Sequence, residues 1–264
     1  MSRVGRGYTV HTALPAYVAA VAELPVSAAL TDDVRGAVAV VPGSGNWWQG
    51  MMAARAGGAS AVVLADPTVL PENAFVSHLW PGDIPVIVER PRLRPDVVAD
   101  AVAARRGSPA RIITVECTAP AAGLDAVIRD GFGWARSLAQ GPLRFQVGIA
   151  TARGRMALLD CGSLDGGALA ATLVGTAAGG LHAGGMLQVL ALGEVRTELT
   201  VDQPAGLARL EASTEEGALR APERYESSAR VALRRAVEAC SEGPVPDLSE
   251  LLEDMALTWA LLDA

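Results

Sequence analysis

Three short apolar runs constrain this chain more than any other feature: Ala37 to Val41 (AVAVV), Ala61 to Leu64 (AVVL) and Ile84 to Val88 (IPVIV). None alternates with polar residues, so each asks to be buried on both faces. Continuous runs of this kind belong to parallel strands with helices packed above and below. The intervening residues fit that plan. The turn Pro42-Gly43-Ser44-Gly45-Asn46 leads into a helical segment from Trp47 to Ala56 that Gly57-Gly58 ends, and a loop rich in Pro and Gly precedes the third run. Ahead of Ala37 the pattern predicts a helix over Ala13 to Glu23 and a short strand near Val26 to Leu30.

After a helix over Asp96 to Arg106 the pattern changes. Arg111 to Glu116 reads as a strand and Leu124 to Ala139 as a helix. Closely spaced strand candidates follow: Arg144 to Ala150, Arg155 to Asp160, Ala168 to Thr176, Met186 to Leu192, Val195 to Val201 and Leu207 to Ala212. Turn signals such as Ala152-Arg153-Gly154, Asp165-Gly166-Gly167 and Leu192-Gly193-Glu194 separate them, which predicts an antiparallel meander. Helices over Pro222 to Cys240 and Asp247 to Leu262 close the chain. The expected fold class is α/β plus α+β: a truncated Rossmann-like parallel sheet over residues 1–95, then a mostly antiparallel open sheet with helices on one face over residues 96–264.

Composition narrows the chemistry. All 22 basic residues among the 264 are arginine, and the formal charge is −7. Without lysine there is no Schiff base, no lysine-bearing phosphate loop and no lysine acid or base; coding bias explains such an absence in part. The negative balance, with no basic run, argues against nucleic acid or an anionic membrane as partner. The opening MSRVGRGYTVHTALP lacks the apolar core of a signal peptide, so the expectation is a soluble cytoplasmic protein. Cys117, Cys161 and Cys240 are far apart, as are His11, His78 and His182, which predicts buried thiols rather than a disulfide framework or a zinc site.

The order of elements resembles the Gfo/Idh/MocA (glucose-fructose oxidoreductase, inositol dehydrogenase) family. Three stretches carry the similarity: Val38 to Pro67, with its strand, turn, helix, strand and closing Pro; Ile84 to Glu116, with a last Rossmann strand, an Arg-rich turn, a helix and the first strand of a second sheet; and Gly184 to Ala264, with closing strands and helices. The resemblance implies a two-domain oxidoreductase fold, an NAD(P) cofactor and association through the second sheet.

The departures fall on the chemistry. Family members place a Gly-x-Gly-x-x-Gly turn after their first strand, where glycines let the backbone approach a pyrophosphate at a helix N-terminus. Here Gly5-Arg6-Gly7 offers a Gly-x-Gly, but Val10 stands where the third glycine belongs. The family's Glu-Lys-Pro corresponds to Ala65-Asp66-Pro67, so Asp66 replaces the lysine that assists hydride transfer. Its His-x-x-Asp pair falls on Asp130 and Gly133. Cofactor and proton-transfer signatures are therefore absent together, and the implied NAD(P) site lacks its motif.

The remaining candidates are few. Gly43, Ser44, Gly45 and Asn46 could offer N–H groups to a phosphate or carboxylate, or could serve only a tight strand-to-helix turn. Trp47 and Trp48 point in different directions from a helix, which predicts one core and one partly exposed ring. Arg90 to Pro95 is either an acid-binding run or a solvated turn. Apolar faces in the meander exceed what one helix layer covers, which suggests a homo- or hetero-oligomer through that sheet. The leading expectation is a catalytically degenerate relative acting as a binding or partner subunit. The alternatives are an active NAD(P)-dependent oxidoreductase using Asp66 or Asp130 on a small carbonyl, imine or sugar-like substrate, and a plain small-molecule binding module.

Overall fold

The apolar runs form the parallel sheet expected of them. In the computed structural model, which describes residues 7–24, 27–75, 82, 84–162, 168–180, 184–203 and 205–264, β1 (Tyr8–His11), β2 (Ala28–Leu30), β3 (Val38–Pro42), β4 (Ala61–Ala65) and β5 (Val86–Glu89) pair in parallel in the order β2-β1-β3-β4-β5. His78, His182, Gly5, Arg6 and the turn Asp165 to Gly167 lie outside the described residues. The contacts divide the chain into two units, residues 1–90 with 225–251 and residues 91–224 with 252–264.

In the first unit both faces of the sheet are covered. The helices α1 (Pro15–Ala22) and α5 (Ser228–Glu242) lay Tyr17, Ala20, Ala232, Leu233 and Ala236 against Val10, Val38, Val63 and Ile87. α2 (Trp47–Ala56) packs on β3 and β4, so closely at Gly50 that a Cβ there would meet Val41 Cγ1 at 2.8 Å. β1, four residues without an apolar run, is an element the periodicity does not predict. Neither tryptophan is exposed: Trp47 and Trp48 are both buried, because Phe75 folds over them with its ring centroid 5.8 and 4.9 Å from theirs, and Trp47 Nε1 donates to Thr68 O at 2.9 Å. The expectation of one exposed ring fails there, since a loop distant in sequence supplies the cover.

The second unit is built on a mixed sheet. Among the described residues β6 (Ile112–Ala119), β7 (Leu143–Ala150), β8 (Gly154–Gly162), β9 (Ala168–Ala177), β10 (Met186–Leu192), β11 (Arg196–Asp202), β12 (Leu207–Thr214) and β13 (Gly217–Arg220) run in the order β13-β12-β11-β10-β6-β9-β8-β7. This corrects the simple meander. β6 inserts between β10 and β9 and lies parallel to β9, while the other pairings are antiparallel. The physical reason is burial: a strand with neighbours on both sides and a helix above it hides its whole inward row, and Ile113, Val115, Cys117 and Ala119 are buried.

That helix is α4 (Leu124–Ala139), which rests on the sheet through Gly131. A Cβ at Gly131 would lie 2.9 Å from Cys117 Sγ and 3.0 Å from both Leu173 Cδ1 and Val115 Cγ1. The opposite face has no helix among the described residues of its unit, and Val147, Ile149, Met156 and Leu158 are exposed on it. α3 (Pro95–Ala104) and the part of α6 (Asp247–Leu262) from Leu252 onward complete the unit. No helix among the described residues is long and apolar enough to cross a membrane.

One cation organises the α3 end. Arg105 follows α3, is fully buried, and donates from Nε to Ser108 O at 3.1 Å and from Nη1 to Val195 O at 2.9 Å and Thr197 Oγ1 at 3.0 Å. Burial lowers its pKa from the usual arginine value, and the carbonyl-rich end of α3 offsets part of the cost of placing a charge there. Arg105→Ala would leave buried acceptors without donors in an unfilled space. We expect a loss of about 2–4 kcal/mol, read as a lower urea midpoint.

Candidate functional site

A parallel sheet whose strand order reverses opens a crevice at the carboxyl ends of the two strands flanking the reversal. Here β2 lies on one side of β1 and β3 on the other, so the crevice lies beyond His11 and Pro42. Two turns wall it, Thr12 to Leu14 and Gly43 to Asn46.

The first turn contains no glycine. Leu14 takes an extended conformation before Pro15, which opens α1. Pro15 has no N–H to give, and the N–H of Leu14 donates to Thr12 Oγ1 at 3.1 Å. Two of the donors that a phosphate would seek at a helix start are therefore missing or taken. Of the Gly-x-Gly at Gly5 to Gly7, Gly7 alone is among the described residues. Gly7 directly precedes Tyr8, at the amino end of β1 and so at the opposite edge of the sheet from the crevice.

The second turn meets the next strand end. The N–H of Gly43 donates to Ala65 O at 2.8 Å, and its carbonyl accepts from Thr68 N–H at 2.8 Å and Thr68 Oγ1 at 3.0 Å. A Cβ on Gly43 would stand 2.3 Å from Ala65 O and 2.4 Å from the Asp66 backbone. Glycine is required here so that two protein loops can cross, and the space it leaves is already filled. Ser44, Gly45 and Asn46 are exposed; Gly45 has φ +64° with open space around it, and Asn46 Oδ1 caps α2 by accepting from Gln49 N–H at 3.2 Å. The four sequence candidates thus divide into one residue of structural necessity and three at the free start of a helix.

Asp66 comes next to Gly43, half-buried, with a left-handed φ of 45°. Its N–H donates to Glu89 O at 3.0 Å. Tyr17, from the first turn of α1, donates its hydroxyl to Glu89 Oε2 at 2.7 Å. Burial first, then the charge and hydrogen bond of Glu89, then the charge of Asp66, push the Tyr17 phenol well above the tyrosine range. The residues around this end of the sheet therefore bring two carboxylates near one buried phenol. Such a cluster repels phosphate and suits a neutral or cationic group. Sequence reasoning singled out neither Tyr17 nor Glu89; Tyr17 shows only the apolar spacing it shares with Ala20 and Val21, and its partner is 72 residues away.

Asp130 belongs to the second unit, on α4, and is fully buried. Its Oδ1 accepts from Arg129 Nε at 3.0 Å and Nη2 at 2.7 Å, and its Oδ2 accepts from Arg92 Nε at 2.7 Å. Arg92, itself buried, also donates to Gln203 and to Gly184 O at 3.3 Å, while its carbonyl accepts from Trp134 Nε1 at 2.7 Å. Arg90 is buried too, so the arginine run is not the solvated turn that one reading of the sequence allowed. Both oxygens of Asp130 are engaged by guanidinium donors, the arrangement of a carboxylate that fixes its neighbours in place.

Solved structures share this architecture. The chain matches a dehydrogenase (MviM) from Clostridium difficile with a TM-score of 0.67 at 8% identity, covering 99% of this chain and 91% of that one. It matches KijD10, a 3-ketoreductase from Actinomadura kijaniata in complex with TDP-benzene and NADP, with a TM-score of 0.63 at 14% identity, covering 98% and 97%. For apo scyllo-inositol dehydrogenase from Lactobacillus casei the TM-score is 0.54 at 16% identity, covering 97% and 87%. No protein-family model and no curated protein matches the sequence. The likeness is one of fold: a Rossmann-like parallel sheet with a large, mostly antiparallel one, the arrangement that the resemblance implied. The turns just described do not fit a dinucleotide gripped by a glycine fingerprint, because the first has no glycine and the second has no free space at Gly43.

The two glycines of the second turn should behave differently. Gly43→Ala forces two loops apart and is expected to cost about 2–4 kcal/mol, whereas Gly45→Ala meets only its backbone strain, about 1 kcal/mol; thermal unfolding of both variants checks the order. Tyr17 carries a pH signature. Its pKa is raised in the fold, so its stabilisation is complete below the ordinary value of 10.0 and is lost as pH climbs above it. Tyr17→Phe should therefore flatten the alkaline limb of a stability profile measured through that range.

Proposed function

We propose that this chain is a relative, by fold, of NAD(P)-dependent dehydrogenases that no longer grips a dinucleotide, and that it acts as a binding or partner subunit. The observation that carries this reading is the turn after β1, where Thr12 to Pro15 stand in place of a glycine fingerprint and the local donors are consumed or absent. Three further facts support it. The Gly43 N–H is engaged by Ala65 O, carboxylates stand at the carboxyl ends of β4 and β5, and Asp66 occupies the place the resemblance gives to lysine. A dinucleotide phosphate brought to this edge would meet like charge rather than a fixed cation.

The open face of the second sheet supplies the means of partnership. Val147, Ile149, Met156 and Leu158 make a contiguous row on β7 and β8, paired across the ladder as Val147 with Leu158 and Ile149 with Met156. An apolar patch of this kind on a sheet face is the usual material of a two-fold interface, in which a second copy or a homologue presents the same row.

A second reading has one observation in its favour. Asp66 holds a left-handed backbone at a strand end beside the crevice, and strained residues concentrate at active sites. In that reading the chain is an active oxidoreductase on a small carbonyl, imine or sugar-like substrate, with Asp66 or Asp130 handling the proton.

Titration with NADH and NADPH, followed by nicotinamide fluorescence, separates the two. The first reading expects no saturation up to about 500 µM, and saturation at a few micromolar would overturn it. Turnover abolished by Asp66→Asn on any reduced-nicotinamide substrate would establish the second. Ile149→Asp, which places a charge in the apolar row, should shift the protein to a smaller species in size-exclusion chromatography at micromolar concentration.

A further inference from the structure

The two edges of the second sheet differ. β7 carries a register shift between Phe145 and Val147, the kind of bulge that keeps an edge from pairing with another chain. β13 has none, and its register with β12 is continuous from Thr214 opposite Gly217 to Glu211 opposite Arg220. The N–H of Ala221 donates to Leu210 O, which makes these two a hydrogen-bonded pair. By the alternation of an antiparallel ladder, Ala218 and Arg220 then turn their N–H and C=O groups away from β12, to the open edge. All four residues of β13 are exposed.

Beside this edge a cleft of about 710 Å³ lies between the end of α3 and the β12–β13 hairpin. Leu210 and Ala212, both buried, form its floor. Leu219 pairs with Ala212 and shares their side of the sheet, yet it is 63% exposed, because α3 packs on β12 and leaves β13 uncovered. Arg220 stands opposite Glu211, so its side chain belongs to the other face. The charges on the cleft side are matched, Arg224 by Asp100 and Arg106 by Glu216 at 3.9 Å. An apolar row with a neutral rim thus runs along a strand edge that has backbone donors and acceptors to spare.

We propose that β13 receives an uncharged extended peptide as an added strand, with an aliphatic side chain set beside Leu219 over the cleft. Main-chain bonds to Ala218 and Arg220 supply affinity, and the cleft selects the side chain. The geometry of the ladder agrees with this division. A peptide residue opposite Leu219 forms a non-hydrogen-bonded pair, in which side chains stand closer, while the residues on either side of it bond to the edge. A second copy is the poorer occupant, since a ladder between two β13 strands joins four residues a side against roughly 20–30 in a stable interface. This edge is separate from the row on β7 and β8 and from the crevice of the first unit, and it depends on neither reading of that crevice.

The full chain is titrated into a short, end-capped, fluorescein-labelled peptide of alternating serine and leucine, and anisotropy is followed. Saturation is expected below about 1 mM. The same peptide N-methylated at its serine amides keeps the leucines, loses the donors and should not bind. Ala218→Pro removes an outward N–H that the ladder to β12 does not use, and Leu219→Ser removes the exposed aliphatic group. Each should weaken peptide affinity by about tenfold with an unchanged melting midpoint. No saturation by the native protein overturns the proposal, and so does equal binding of the N-methylated peptide, which leaves an apolar cleft and no added strand. That comparison uses the native chain and stands even where a variant is destabilised. Affinity unaltered in either variant overturns the proposal as well. If Ala218→Pro halves the native mass in size-exclusion chromatography, a second copy holds the edge and the peptide assignment falls.

Discussion

The carboxylate of Asp247 ties the first unit together. Its oxygens accept from both terminal nitrogens of Arg235 at 2.8 Å, and Oδ2 also accepts from the backbone N–H of Val88 at 3.0 Å. One side chain thus joins α5 to β5, two elements that the chain separates by the whole of the second unit's strands. Desolvation opposes the charge on Arg235, but the hydrogen bonds and charge of Asp247 prevail and raise its pKa above the usual value, so the guanidinium keeps its charge. With α5 held there, Ala232, Leu233 and Ala236 can cover Val38, Val63 and Ile87. The sheet whose carboxyl edge forms the crevice is covered by α5 on that side because of this closure.

Much of the secondary structure is legible in the sequence because it rests on local pattern. α2, α4, β10 and α6 begin and end where apolar spacing and turn residues place them. β1 and β13 are missed for the same reason: four residues carry no period, and each is a strand only because a neighbour offers it a ladder. Sheet order is a matter of which strands meet, and nothing near Ile112 to Ala119 announces that β6 will lie between β9 and β10. The candidate site shows the same limit. Gly43 is marked by its sequence as a place where backbone must approach something, and the structure identifies that something as the Ala65–Asp66 peptide. Tyr17 and Glu89 give no sign of each other until the fold is formed.

The absence of lysine acquires a structural meaning alongside these contacts. Buried and partly buried cations here use several donors at once: three bonds from buried Arg105, a shared carboxylate for buried Arg92 and Arg129, and a two-pronged grip of half-buried Arg136 on Asp254 at 2.9 and 3.2 Å. A lysine at any of them would bring a single point of charge and leave acceptors unmet. Geometry accounts for arginine at these positions. It puts no cation at Asp66.

The division of the first unit between Met1–Arg90 and Tyr225–Leu251 also bears on how the protein is made. A ribosome delivers the five parallel strands early and α5 almost last, so the face formed by Val10, Val38, Val63 and Ile87 has no α5 to cover it while the second unit's strands are synthesised. The unit that begins the chain thus waits for a helix that follows all the strands of the other. Until Leu233 arrives, its bare aliphatic surface is a natural client for a holding chaperone.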